Sequence, residues 1–170
     1  MVLQFRETQP SEWRHGSFVV STDRERLDVP KLLAMLRDTY WASDLEHERL
    51  VQAIEASLTF GLYADSGSLV GFCRVITDGA MFAYLRDVII DAAYRRQGLG
   101  SLLTDTVLHH PALANVHYWL LATRDAHDVY KKFGFKPLEN PGLYMVRRTT
   151  ETPFQTADSG SPAADPTRHG

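Results

Sequence analysis

The sequence predicts an α/β domain on one central mixed, twisted sheet, and three observations predict it. Strand-like runs at 58–64 and 69–76 flank the turn-forming tetrad Asp65-Ser66-Gly67-Ser68, the pattern of an antiparallel hairpin. The longest strand-like run, 83–90, passes through a glycine-containing loop into a helical stretch at 101–109 stopped by Pro111, and 118–122 returns as a strand. Hairpin-linked strands leading into a strand–helix–strand unit require both antiparallel and parallel pairing.

Taken in order, residues 1–16 are polar and mixed and read as a loosely held N-terminal arm. Residues 17–21, Ser-Phe-Val-Val-Ser, read as a first short strand. Asp28 can cap a helix whose early Pro30 falls where no intrahelical N–H is needed. That helix carries Leu32, Leu33, Met35 and Leu36 and ends near Tyr40-Trp41. Ser43 and Glu46 have capping-box spacing and open a second helix with Leu50, Val51, Ile54 and Leu58 at helical intervals. After the hairpin, an Asp78-Gly79 turn leads to the 83–90 strand. Late in the chain, 126–133 reads as a short helix closed by Gly134, followed by a strand pair at 135–138 and 143–146. The expectation is six to seven strands and about four helices. Residues 150–170, rich in Ser, Thr, Pro, Ala and Asp, read as a disordered tail.

A chain of 170 residues fits one domain with an adequate core. Its net charge of −3 supplies no global basic field, so nucleic acid is not an expected partner. The single cysteine, Cys73, cannot form an intramolecular disulfide and reads as a small buried hydrophobe rather than a nucleophile. The histidines lack ligand spacing, so no metal is expected. With no apolar run near the roughly 20 residues needed to span a bilayer and no leader-like N-terminus, the expectation is a cytoplasmic protein without a membrane partner.

The chemistry concentrates between the 83–90 strand and the helix after it. Gly98 and Gly100 permit close backbone approach, and the helix start offers unpaired N–H groups and a positive dipole end. Arg95 and Arg96 add charge there, so a diphosphate is the natural guest. A P-loop is excluded because no Gly-Lys-Ser/Thr follows, and Leu103 replaces the third glycine of a dinucleotide fingerprint.

Together with a second run about thirty residues on, this loop resembles the GNAT superfamily of N-acetyltransferases, more narrowly a bacterial-type small single-domain branch. Its pyrophosphate motif, Arg/Gln-x-x-Gly-x-Gly/Ala, is matched by Arg95-Arg96-Gln97-Gly98-Leu99-Gly100. Its Ala-x-x-Leu/Tyr-Tyr-x-x-x-Gly-Phe run is matched by Ala126 through Phe135, with Val129 for the usual Leu. The resemblance covers roughly 17–149, taken as the acetyltransferase domain. It implies a sheet splayed between its two central parallel strands, with the pantetheine arm of acetyl-CoA in the gap. Val88 and Ile90 would give main-chain contacts to that arm. Gln97, Gly98, Gly100 and Ser101 would give N–H groups to the pyrophosphate. Thr123 stands where the family often has an arm-contacting Asn.

The resemblance also aligns Tyr130 with a tyrosine that protonates the departing thiolate, a phenol of pKa about 10 being suited to that task; the alternative is a packing tyrosine. For the general base, Asp87 is the first choice, since alternation with Leu85 places it among apolar groups, with Asp78 and Glu46 in reserve. The alternative for Asp87 is an ion pair with Arg86 or Arg74. Tyr40, Trp41, Phe82 and Tyr84 are the acceptor-pocket candidates, or else core. The implied activity is acetyl transfer from acetyl-CoA to a primary amine of a small molecule or peptide. A non-catalytic acyl-CoA-binding or sensing module is the alternative, and a homodimer enters only by analogy.

Overall fold

The structure is a computed structural model that describes residues 9–147. The sequence assignments for the first eight residues and for the tail at 150–170 lie outside the described residues. The described chain falls into a main unit up to Leu138 and a short second unit from Glu139.

The main unit is a six-stranded sheet in sequence order: β1 (Glu12–His15), β2 (Phe18–Ser21), β3 (Leu58–Ala64), β4 (Leu69–Thr77), β5 (Phe82–Ile90) and β6 (Tyr118–Leu120). Every neighbouring pair is antiparallel except β5 with β6, which is parallel. The mixed sheet expected from the sequence is present.

Four helices flank it: α1 (Val29–Arg37), α2 (His47–Glu55), α3 (Leu99–Leu108) and α4 (His127–Lys131). Asp28 caps α1, its carboxylate accepting from the Lys31 N–H at 3.0 Å. The α1–α2 face of the sheet packs Leu32, Leu36, Leu50 and Ile54 against Phe72 and Ile89. The opposite face packs Leu99, Leu103 and Val107 of α3 against Phe60, Val75, Ala83 and Leu85.

Three expectations are corrected. Residues 12–15, read as part of a loose arm, are β1: Gly16 at φ 59° makes a two-residue connection that brings His15 opposite Phe18. The capping box at 43–46 is not formed. Helix α2 starts at His47 with no side-chain cap, and the Leu45 carbonyl instead accepts from Arg37 Nε at 2.8 Å. Residues 135–138 and 143–146 are not strands. Pro137 lacks the N–H a ladder needs, and the short second unit holds a 3-10 turn at Pro141–Leu143.

Leu103 is fully buried and ties α3 to the sheet. Leu103→Ala is expected to lower unfolding free energy by about 2–5 kcal/mol in urea denaturation, through lost transfer energy and a residual cavity.

Candidate active site

The loop between β5 and α3 is shaped by its backbone. Arg96 has φ 62° and Gly98 φ 76°, so the chain turns through two left-handed residues before α3 begins. Glycine adopts that conformation freely, whereas Arg96 costs about 1–2 kcal/mol that its surroundings must supply. The first helical bond in α3 runs from the Leu102 N–H to the Gly98 carbonyl, at 3.0 Å. The N–H groups of Leu99, Gly100 and Ser101 therefore precede the intrahelical ladder.

A Cβ built on Gly98 or Gly100 would meet nothing within 4 Å, so both glycines front open space. Unladdered donors, the helix dipole and open room fit a diphosphate. Arg95 folds back, its Nε donating to the Ile90 carbonyl at 3.1 Å, and stays exposed beside Arg96. Tyr94 anchors the loop by packing edge-on against Phe18, with ring centroids 6.2 Å apart.

Strand β5 and its neighbour part company just before this loop. Their parallel register holds for Phe82–Tyr118, Ala83–Trp119 and Tyr84–Leu120, and then stops, while β5 continues to Ile90. Val88 and Ile90 lie in the stretch whose β6-side edge is unpaired. An open edge of parallel strand accepts an extended ligand by main-chain hydrogen bonding.

A bulge interrupts β5 in the same stretch. Phe72 pairs with Ile89 and Arg74 with Arg86, so Asp87 and Val88 together oppose Cys73. Asp87 has φ 54°. The bulge resets the alternation: Leu85, Val88 and Ile90 belong to the α3 side and Ile89 to the α1–α2 side. The expectation that Asp87 shares an apolar face with Leu85 is thereby corrected. Its carboxylate instead meets Arg74, Oδ2 accepting from Nε at 2.5 Å, with Arg86 Nε 3.8 Å from Oδ1. The ion-pair alternative is the arrangement present.

Tyr130, on α4, is only 9% exposed. Burial lifts its hydroxyl from the ordinary value of 10 to about 12, with Cys73 and Tyr40 near enough to raise it further. Cys73, fully buried, is raised in turn by burial and then by Asp87. Tyr130 and Cys73 share the α3-side core, and Cys73 stands opposite the bulge at Asp87 and Val88.

The aromatic acceptor candidates divide into two groups. Tyr40 packs edge-on against Trp41 at 4.9 Å, and the Arg124 guanidinium lies 3.9 Å from the Tyr40 ring centroid. Phe82 stacks on Tyr118 at 6.1 Å, and Arg86 lies 5.5 Å over Tyr84, in the closed part of the parallel pair. Thr123 Oγ1 accepts the Ala126 N–H at 3.0 Å, shaping the entry to α4. Of the reserve bases, Asp78 accepts from the N–H groups of Ala80, Met81 and Phe82, bonds that hold its carboxyl below the usual range. Glu46 stands at the N-cap of α2. Sequence reasoning named Arg74 only as an alternative partner for Asp87 and missed Ser57, which reads as a polar residue ending a helix.

Comparison with known proteins agrees with this geometry. A family model described as an acetyltransferase (GNAT) domain matches residues 23–144. A Gibberella zeae protein named "Putative acetyltransferase FG08082" is 33% identical over 152 residues, covering 76% of this chain and 85% of that protein. A crystal structure from Xanthomonas campestris, described as belonging to the GNAT family, superposes with a TM-score of 0.75 at 39% identity, covering 84% of this chain and 99% of that one. Rv2747 from Mycobacterium tuberculosis, solved in complex with CoA, shares the fold at 21% identity and a TM-score of 0.58, over 71% of this chain and 72% of that one. A helix mouth opened by glycines, set at the end of a parted parallel pair and carried on a sequence these comparisons match, places the chain in the GNAT acetyltransferase family.

Proposed function

We propose that this chain is an acetyl-CoA-dependent N-acetyltransferase that passes the acetyl group directly to a primary amine of a small molecule or peptide. The observation that carries the reading is the conjunction of two features at the end of β5 that leads into α3. The unladdered N–H groups of α3 provide a diphosphate anchor, and the unpaired edge of β5 beyond Tyr84 provides a slot for an extended arm. Acetyl-CoA brings an activated thioester on such an arm, with a diphosphate at its other end.

In this reading the amine nitrogen attacks the thioester carbonyl, the C–N bond forms, the C–S bond breaks and the thiolate leaves. Tyr130 donates its proton to the sulfur. Its elevated pKa keeps it protonated at neutral pH, and the displaced amine proton goes to solvent. Holding both reactants in one complex supplies much of the acceleration through orientation. The Tyr40 face is already taken by the Arg124 guanidinium, so that edge of the region carries a positive charge of its own.

The test is a panel of amines (amino acids, polyamines, aminoglycosides, arylalkylamines and peptides) read by thiol release from acetyl-CoA. Turnover on at least one amine is expected; tight acetyl-CoA binding without turnover on any would support a binding module instead. Gly98→Val, which forces a β-branched residue into a left-handed backbone, is expected to weaken CoA binding about tenfold by calorimetry. Tyr130→Phe is expected to lower kcat about a hundredfold with a much smaller change in acetyl-CoA affinity. Since Tyr130 titrates near 12, the wild-type kcat is expected to show no alkaline decline assignable to this acid up to pH 10.

A further inference from the structure

The bulge in β5 is held by a buried polar chain that the proposed chemistry does not use. Arg74 Nε donates to Asp87 Oδ2 at 2.5 Å, and its Nη1 donates to Ser57 Oγ at 3.1 Å. Ser57 Oγ donates to the Ala53 carbonyl at 2.5 Å, and Arg24 Nη2 donates to the Ser57 carbonyl at 2.6 Å. The side chains of Arg74 and Asp87 are only 11% and 10% exposed. The bulge is thus tethered to the end of α2 and to the 3-10 turn Arg24–Arg26. A non-glycine residue with the φ of 54° found at Asp87 persists only where its surroundings over-determine it, and this chain of bonds is what does so.

We propose that Arg74 is a positioning residue for the cofactor slot. By clamping Asp87 it fixes the bulge, and the bulge bends the end of β5 away from β6. The unpaired edge at Val88 and Ile90 is then presented at a constant angle to an extended acyl-carrier arm. The inference rests on the acetyl-CoA reading above. A bulge bends and twists its strand, and this one falls just beyond the last parallel pair, Tyr84 with Leu120, where a bend has most effect on the gap. The clamp also gives Asp87 a task other than accepting the amine proton. Clamping requires an oxygen acceptor and tolerance of a left-handed backbone, which Asn also provides; proton uptake requires a carboxylate.

The test uses the full chain, with calorimetric titration of CoA and with kinetics on the best amine of the panel. Arg74→Lys keeps a cation opposite Asp87 but loses the fork that also holds Ser57. It is expected to bind CoA severalfold more weakly, with KM for acetyl-CoA rising more than kcat falls. The double variant Arg74→Met/Asp87→Ala removes both buried charges together, which such pairs tolerate far better than loss of one partner. It is expected to remain folded by thermal melting while binding CoA on the order of tenfold or more weakly. Asp87→Asn is expected to lose less CoA affinity than the double variant and to retain the acidic limb of the kcat–pH profile. Wild-type CoA affinity in both Arg74→Lys and the folded double variant would overturn the clamp while leaving the acetyl-CoA reading intact. Loss of the acidic limb in Asp87→Asn would assign the proton to Asp87 and overturn it equally. Absence of CoA binding by the wild type would instead sink the reading on which the clamp rests.

Discussion

Parallel strands pair through evenly spaced, slanted hydrogen bonds, and nothing in that pattern stops it after three residues. Between β5 and β6 it stops at Tyr84 and Leu120, although β5 continues to Ile90. Main-chain groups left without a ladder must find other partners or water. The rest of the site follows from that parting. It leaves the end of β5 that leads into the β5–α3 loop with an edge β6 does not pair. On the α3 side of the sheet it leaves Tyr130 of α4 packed in the same core as Cys73, opposite the bulge.

The energetics around the parting are uneven. The α3 side is a packed hydrocarbon core. The α1–α2 side contains a buried guanidinium–carboxylate pair with its attached hydroxyl. Apolar packing would tolerate small shifts of β5, whereas a short charged hydrogen bond confines direction as well as distance. Removing one partner of such a pair costs about 3–5 kcal/mol, mostly through the charge left behind. A charged directional bond therefore lies where strand geometry matters most to a ligand. Tyr130 takes the other consequence of burial: desolvation holds its proton, the state a donor requires.

Much of this was legible in the sequence. The hairpin around Asp65-Ser66-Gly67-Ser68 is where its flanking runs place it, β4 running one residue further than expected, and Asp28 with Pro30 opens α1 as helix chemistry requires. The paired glycines before an apolar helix identified the loop, and Gly98 has the positive φ that such a turn demands. What escaped depends on tertiary context. β1 is a polar strand, Glu-Trp-Arg-His, whose alternating half-burial emerges only once β2 is beside it; Gly16-Ser17 was the overlooked turn signal. The capping box at Ser43 and Glu46 is absent because α2 begins later, with Glu46 itself at the N-cap. Asp87 was misplaced because alternation assumes an unbroken pleat, and a bulge formed around an aspartate has no sequence signature comparable to that of a glycine.

The central claim is that one ligand is gripped at the mouth of α3 and threaded along the freed edge of β5. The direct measurement is a crystal structure of the full chain with CoA. The account predicts the pyrophosphate within hydrogen-bond distance of the main-chain N–H groups between Gln97 and Ser101, and the pantetheine arm lying between β5 and β6 beyond Tyr84 and Leu120. CoA bound elsewhere on the surface, or β6 found paired along β5 as far as Ile90, would contradict it.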